Sequence, residues 1–250
     1  MTALIDSLRA TGRPVLVPYV TGGVAENWMD HVHAAVDAGA DAVEIGIPFS
    51  DPVIDGPVIQ AASVRALERG TTPDTVLRDL ASYRGSVPLV VMTYYNLVHR
   101  YGHSAFASRL AEVGVRGVVL ADLPMEESAE WAEAADAAGV ATVQIAAPST
   151  PDDRLEEVCA RSKGFVYAMG VMGVTGERAV LADSACAIAR RVRAVTDKPV
   201  LVGVGVSTPE NAAAVTEHAD GVVIGAPVMR RIAEGGSVGE LVGRFRSALG

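Results

Sequence analysis

Two carboxylates stand out by their surroundings. Glu44 lies inside the apolar run Ala42-Val43-Glu44-Ile45-Gly46-Ile47, where a charge is costly unless it is paired or used. Burial disfavours the ionised form, so its pKa would rise and suit general acid–base work. A structural Glu held by an arginine or by backbone donors is the other account of the same position. Asp55 follows in Phe49-Ser50-Asp51-Pro52-Val53-Ile54-Asp55-Gly56-Pro57. The prolines fix φ and stiffen this stretch, so Asp51 and Asp55 are partly preorganised to meet a ligand or a partner. Ser-Asp-Pro and Asp-Gly-Pro also form turns in their own right. Tyr167 sits in an apolar run with Phe165. Its hydroxyl needs a partner if buried and at a strand end would reach a substrate oxygen; core packing, as for Phe165, is the alternative.

Glycine-containing stretches recur late in the chain: Gly173-Val174-Thr175-Gly176, Gly203-Val204-Gly205-Val206-Ser207 and Gly225-Ala226-Pro227. Glycine lets a backbone come close to a ligand, and loops ahead of helix N-termini hold phosphates through their N–H groups. The only lysines, Lys163 and Lys198, immediately precede apolar runs. That places them at the end of the fold opposite a catalytic face and excludes a Schiff-base aldolase. His31 and His33 are two apart and cannot share a helix face. No His or Cys spacing suggests zinc. What remains is carboxylate acid–base catalysis on a phosphorylated substrate.

The elements that must position these residues are short apolar runs at 15–20, 42–47, 89–93, 117–121, 141–146, 165–169, 200–204 and 221–224. They are near-continuously apolar, as strands buried on both faces are. Stretches with helical spacing lie between them, such as 104–113 and 127–138, and 238–249 closes the chain. Eight such units predict a single (β/α)8 barrel, an α/β fold, over residues 1–250, since that fold takes about 250 residues. An open doubly wound sheet fits less well, because no G-x-G-x-x-G follows the first strand. Residues 1–11 predict an extra N-terminal helix against the barrel bottom. The long units after the second and sixth strands make 48–63 and 170–182 the expected active-site loops.

Composition agrees. The chain is 50% hydrophobic with a net charge of −9, which excludes disorder and argues against a nucleic-acid partner. No stretch approaches the roughly 18 apolar residues of a membrane span, and no signal peptide is legible. Cys159 and Cys186 cannot build a disulfide framework. The expectation is a cytoplasmic protein with no membrane association.

Taken together, these segments resemble the tryptophan synthase alpha subunit family over nearly the whole chain. The most specific stretch runs from Glu44-Ile45-Gly46-Ile47-Pro48-Phe49-Ser50-Asp51-Pro52 through Asp55-Gly56-Pro57-Val58-Ile59-Gln60. Asp122-Leu123-Pro124-Met125-Glu126-Glu127-Ser128, Gly173-Val174-Thr175-Gly176 and Gly205-Val206-Ser207-Thr208-Pro209-Glu210 support it.

The resemblance implies a carbon–carbon lyase that cleaves indole-3-glycerol phosphate to indole and glyceraldehyde 3-phosphate in tryptophan biosynthesis, without metal or cofactor of its own. It implies that Glu44 is the general acid–base, that Asp55 accepts the indole N–H, and that Tyr167 assists Glu44. It puts Gly176, Gly205, Gly225 and Ala226 at the phosphate, Tyr19, Met92 and Ile145 around the indole, and Thr175 on a lid reaching Asp55. A pyridoxal-phosphate beta subunit is the implied partner in an alpha–beta heterotetramer, touching Asp51-Pro52 and a loop at 96–102. The chain departs from the family pattern at Gly225-Ala226-Pro227, where Gly-Ser is usual, and at Gly170, Glu177 and 21–25. A stand-alone lyase releasing indole, a barrel that mainly activates a beta subunit, and a sugar-phosphate isomerase are the competing readings.

Overall fold

A computed structural model describes residues 3–170 and 178–250. Strands β1 (Val15–Thr21), β2 (Val43–Gly46), β3 (Leu89–Thr93), β4 (Val115–Leu120), β5 (Ala141–Ala146), β6 (Val166–Met169), β7 (Val200–Gly203) and β8 (Gly221–Ile224) pair in parallel in chain order, and β8 returns to β1 to close a barrel. Apolar residues on both faces leave each strand no side to turn to water, so one face packs inward and the other meets helices. Side chains alternate between the two. On β1, Val15 and Val17 join the inner cluster, whereas Leu16 and Val20 join the outer one. Around β2, Ala42 is inner and Val43 and Ile45 are outer. The alternation therefore turns Glu44 into the barrel.

Helix α1 (Ala3–Arg9) precedes the barrel, and α2 (Trp28–Asp37), α3 (Pro57–Glu68), α4 (Pro73–Leu80), α5 (Tyr95–Tyr101), α6 (His103–Glu112), α7 (Ala129–Ala138), α8 (Asp152–Arg161), α9 (Arg178–Arg193), α10 (Pro209–Thr216), α11 (Ala226–Ala233) and α12 (Val238–Leu249) surround it. Proline opens α3, α4, α10 and α11 within the first turn, where its missing N–H costs nothing. The side chains of Thr72, Thr208 and Ser237 cap α4, α10 and α12 by accepting from the N–H groups of Thr75, Asn211 and Glu240.

The expected N-terminal helix is present and fills the barrel bottom: Leu4 and Leu8 belong to the inner cluster. Gly117 and Gly164 make room for it, since a Cβ on either would come within 2.6 and 2.8 Å of the Leu4 side chain. Both lysines lie at this end. Lys163 pairs with Asp136, and Lys198 donates to the carbonyls of Cys159, Ala160 and Ser162.

Several expected boundaries are corrected. The stretch 48–63 is not all loop: α3 starts at Pro57, because Gly56 and Pro57 together start a helix. The stretch 170–182 is shortened in the same way, as α9 starts at Arg178. Residues 96–102, expected as a loop, lie in α5 and its Gly102 cap. The predicted helix at 127–138 is broken by Ser128 into a single 3-10 turn, Met125–Glu127, and α7. Thr175 and Gly176, with Glu177, lie outside the described residues. Among the described residues no helix is long and apolar enough to cross a membrane, and no cluster of His, Cys, Asp and Glu could hold a metal ion.

Candidate active site

At the C-terminal ends of the strands lies a cavity of about 390 Å³. Each of its walls comes from a different strand or strand-following loop, as barrel sites do. Glu44 of β2 faces it from inside the barrel and is 1% exposed. Among the described residues its Oε1 has no hydrogen-bond partner. A buried carboxyl oxygen left unpaired costs free energy on the order of 1–3 kcal/mol, so the fold holds this group for something other than its own stability. Burial, and then the charge of Asp55, push its pKa up to about 8.

Asp55 enters the same cavity from the loop between β2 and α3. The loop is held by its own backbone: the Asp55 N–H donates to Pro52 O at 3.1 Å, and Gln60 Nε2 donates to Asp55 O at 2.9 Å. Burial raises the Asp55 pKa to about 6, against the opposing pull of a hydrogen bond from Tyr94. Tyr94 was not singled out in the sequence. Its ring stacks on Phe49 at 5.1 Å, and its hydroxyl accepts the Ile54 N–H at 3.3 Å. It therefore grips the Asp55 loop from β3's end. Nothing in Thr93-Tyr94-Tyr95 distinguishes it from its neighbour, whose hydroxyl instead meets His103 Nε2 at 3.0 Å.

Tyr19 and Tyr167 complete the inner wall. Both phenols are held neutral by burial, with Glu44 and Asp55 adding to the effect. Each ring lies over a glycine of the next strand. A Cβ on Gly46 would overlap the Tyr19 phenol, and one on Gly203 would overlap that of Tyr167. Met92 lines the cavity as expected, but Ile145 does not. Ile145 points inward on β5 and packs, partly buried, against the inner cluster. It is in register with Tyr167 of β6, level with the inner wall.

The loops after β7 and β8 bring backbone to the cavity. Gly205 and Ser207 follow β7, and Gly225 and Ala226 follow β8, and all four line the cavity. Val204 and Gly205 both have positive φ, +62° and +98°. A β-branched residue there is strained. Gly170 accommodates the resulting turn, because a Cβ on it would overlap the Val204 carbonyl. The first turn of α11 has N–H groups without a helical partner, and Gly225, Ala226 and Pro227 line the cavity.

The arrangement is an apolar cavity lined by two acids of unequal strength and by the backbone at the start of α11. Near pH 7 a carboxyl with pKa about 8 is mostly protonated and one with pKa about 6 mostly ionised. The pair therefore offers a proton donor and a proton acceptor at once. That backbone suits a phosphate.

Known proteins share both the sequence and this architecture. Residues 5–242 match the profile of the family described as "Tryptophan synthase alpha chain". Curated relatives bearing that name include one from Streptomyces coelicolor, 46% identical over 91% of this chain and 86% of its own length, and one from Halorhodospira halophila, 42% identical over 96% and 90%. Among solved structures, a chain of Mycobacterium tuberculosis tryptophan synthase superposes with a TM-score of 0.90 at 35% identity, covering 98% of this chain and 96% of its own. The tryptophan synthase alpha subunit of Legionella pneumophila gives 0.89 at 30%, covering 100% and 98%. This chain belongs to the tryptophan synthase alpha chain family.

Proposed function

We propose that the chain cleaves indole-3-glycerol phosphate to indole and glyceraldehyde 3-phosphate by a retro-aldol step. One observation carries the reading: a buried carboxyl with an unpaired oxygen, Glu44, faces an apolar cavity shared with a second, more acidic carboxyl, Asp55. Such a pair is matched to a substrate that must gain a proton on carbon while positive charge builds on a nearby nitrogen.

In this mechanism the indole ring lies against Tyr19 and Met92, with its N–H toward Asp55. Protonated Glu44 delivers its proton to C3 of the ring, and Asp55 stabilises the cationic ring nitrogen that results. Charge stabilisation placed where charge develops lowers the barrier rather than only tightening binding. The bond from C3 to the glycerol carbon then breaks, and its electrons restore the aromatic ring. The hydroxyl on that carbon gives up its proton to the Glu44 carboxylate and becomes the aldehyde, so the acid is regenerated. Tyr167 borders Glu44 and keeps water from its free face. The phosphate sits against Gly205, Gly225 and Ala226. Gly176 as a further phosphate contact and Thr175 as the lid residue rest on the family resemblance alone.

The designation "alpha chain" among the relatives implies a companion chain. We assign as partner a pyridoxal-phosphate beta subunit in an alpha–beta heterotetramer, taking up the indole. The Asp55 loop supports this, because Val53 is 78% exposed and Ile54 is 38% exposed, and apolar exposure of this kind marks contact surfaces. A cytoplasmic setting accompanies the reading, in line with two unpaired cysteines, Cys159 and Cys186.

The test is steady-state release of indole from indole-3-glycerol phosphate, alone and with a beta subunit. Glu44→Gln keeps the shape of the side chain and removes the transferable proton. It should lower kcat by at least about a thousandfold with KM changed little. Undiminished turnover in that variant would reject the assignment.

A further inference from the structure

Arg230 lines the same cavity, from α11, and no motif or resemblance in the sequence pointed to it. Among the described lining residues it is the cation, set against the two carboxylates Glu44 and Asp55. It is exposed, and among the described residues no hydrogen bond or ion pair engages its guanidinium. It stands four residues after Ala226, so both lie on one face of the helix, and helical side chains lean toward the N-terminus. Arg230 belongs to the last turn of α11, and the first turn contains no acid that could draw its guanidinium away from a ligand at Gly225 and Ala226.

The local backbone strengthens the case. Pro227 occupies the first turn and has no N–H, so this cradle has one donor fewer than a helix end usually offers. Ala226 brings no hydroxyl. The cavity's acids and the chain's net charge of −9 both repel a dianion. A guanidinium offers paired donors that match phosphate oxygens.

We infer that Arg230 is a phosphate-recognition residue, closing over the anion held by Gly205, Gly225 and Ala226 and standing in for the donors that Ala226 and Pro227 lack. The inference rests on the proposed retro-aldol reading for the identity of the phosphoester, but the phosphate contact itself is tested without catalysis.

The experiment is calorimetric titration of the full chain with glycerol 3-phosphate and, separately, with indole. Arg230→Ala should weaken glycerol 3-phosphate binding about tenfold, as loss of a charge-assisted contact does, and leave indole binding unchanged. Arg230→Lys should recover part of the loss, keeping the charge without the paired geometry. Arg231→Ala, on the same helix but outside the cavity lining, should stay within twofold of the parent. In turnover, Arg230→Ala should raise KM about tenfold and change kcat less than twofold. Unchanged glycerol 3-phosphate affinity in Arg230→Ala, or an equal loss in Arg231→Ala, overturns the inference. Should Arg230→Ala unfold, Arg230→Gln makes the same comparison. A parent chain that binds glycerol 3-phosphate but leaves indole-3-glycerol phosphate intact defeats the retro-aldol reading alone. A parent chain that binds neither glycerol 3-phosphate nor inorganic phosphate at millimolar concentration defeats both.

Discussion

Glu44 and Asp55 set the pH behaviour of the site. The acceptor must be ionised and the donor protonated, so kcat/KM should be bell-shaped, with limbs at the two values of about 6 and about 8. Tyr94→Phe removes the hydrogen bond that holds Asp55 down, so the acidic limb should move upward while the basic limb stays. An acidic limb that does not move would separate Tyr94 from the acceptor. Glu44 also leaves a mark on stability. In the unfolded chain it ionises near 4.5, and in the folded chain at about 8, so between those values the folded state holds the extra proton. Stability is therefore lost as pH rises through that window, by at most about 1.4 kcal/mol for each pH unit crossed. Glu44→Gln has no proton to lose. Its urea midpoint should gain on the parent's between about pH 5 and about pH 8; a constant difference would mean that Glu44 titrates normally. Glu44 was legible in the sequence because a charge inside an apolar run is conspicuous. Tyr94 and Arg230 were not, since a tyrosine after a strand and an arginine within a helix are ordinary. Ile145 as an indole neighbour rested on the resemblance, since no pattern in the sequence says which inward side chains border a cavity.

Among the elements, β2 and β7 are thinned so that aromatic side chains on their neighbours can stand upright. Gly203 gives space to Tyr167, and Gly46 gives space to Tyr19. Gly203→Ala should force the Tyr167 ring aside. Overpacking a buried site of this kind costs about 1–3 kcal/mol, so a lower denaturation midpoint and a fall in kcat should appear together. A fully active variant would show that Tyr167 tolerates displacement. The strands themselves were legible because eight apolar runs read as strands buried on both faces. Their exits were less so. A proline that starts a helix and a proline that stiffens a loop look alike in sequence, and only packing of the following face decides between them at Pro57. The strained φ of Val204 was invisible for a related reason. Glycine on either side advertises freedom, but nothing marks the valine between as sharing it.

The barrel as a whole is tied shut where its two chain ends meet. Asp41, just before β2, accepts from Arg246 of α12 at 3.0 Å, from Arg13 at 3.0 Å and from the Leu16 N–H at 2.9 Å. Arg246 also donates to Pro14 O at 3.0 Å. Asp41 and Arg246 are nearly excluded from water, with side chains 6% and 10% exposed. Asp41→Ala would leave that guanidinium without its carboxylate, which should cost about 3–5 kcal/mol. Chemical denaturation should show it, with indole-site chemistry unaffected below the transition. A loss under about 1 kcal/mol would mean that the carbonyl contacts suffice.

The placement of Leu4 and Leu8 in the barrel's lower end has a consequence for traffic. Among the described residues that end is corked, so what enters over the strand tips has no way out along the barrel axis. A companion that collects the aromatic product without spilling it into water is therefore best served at the strand tips, and one seated under the plug would receive nothing directly.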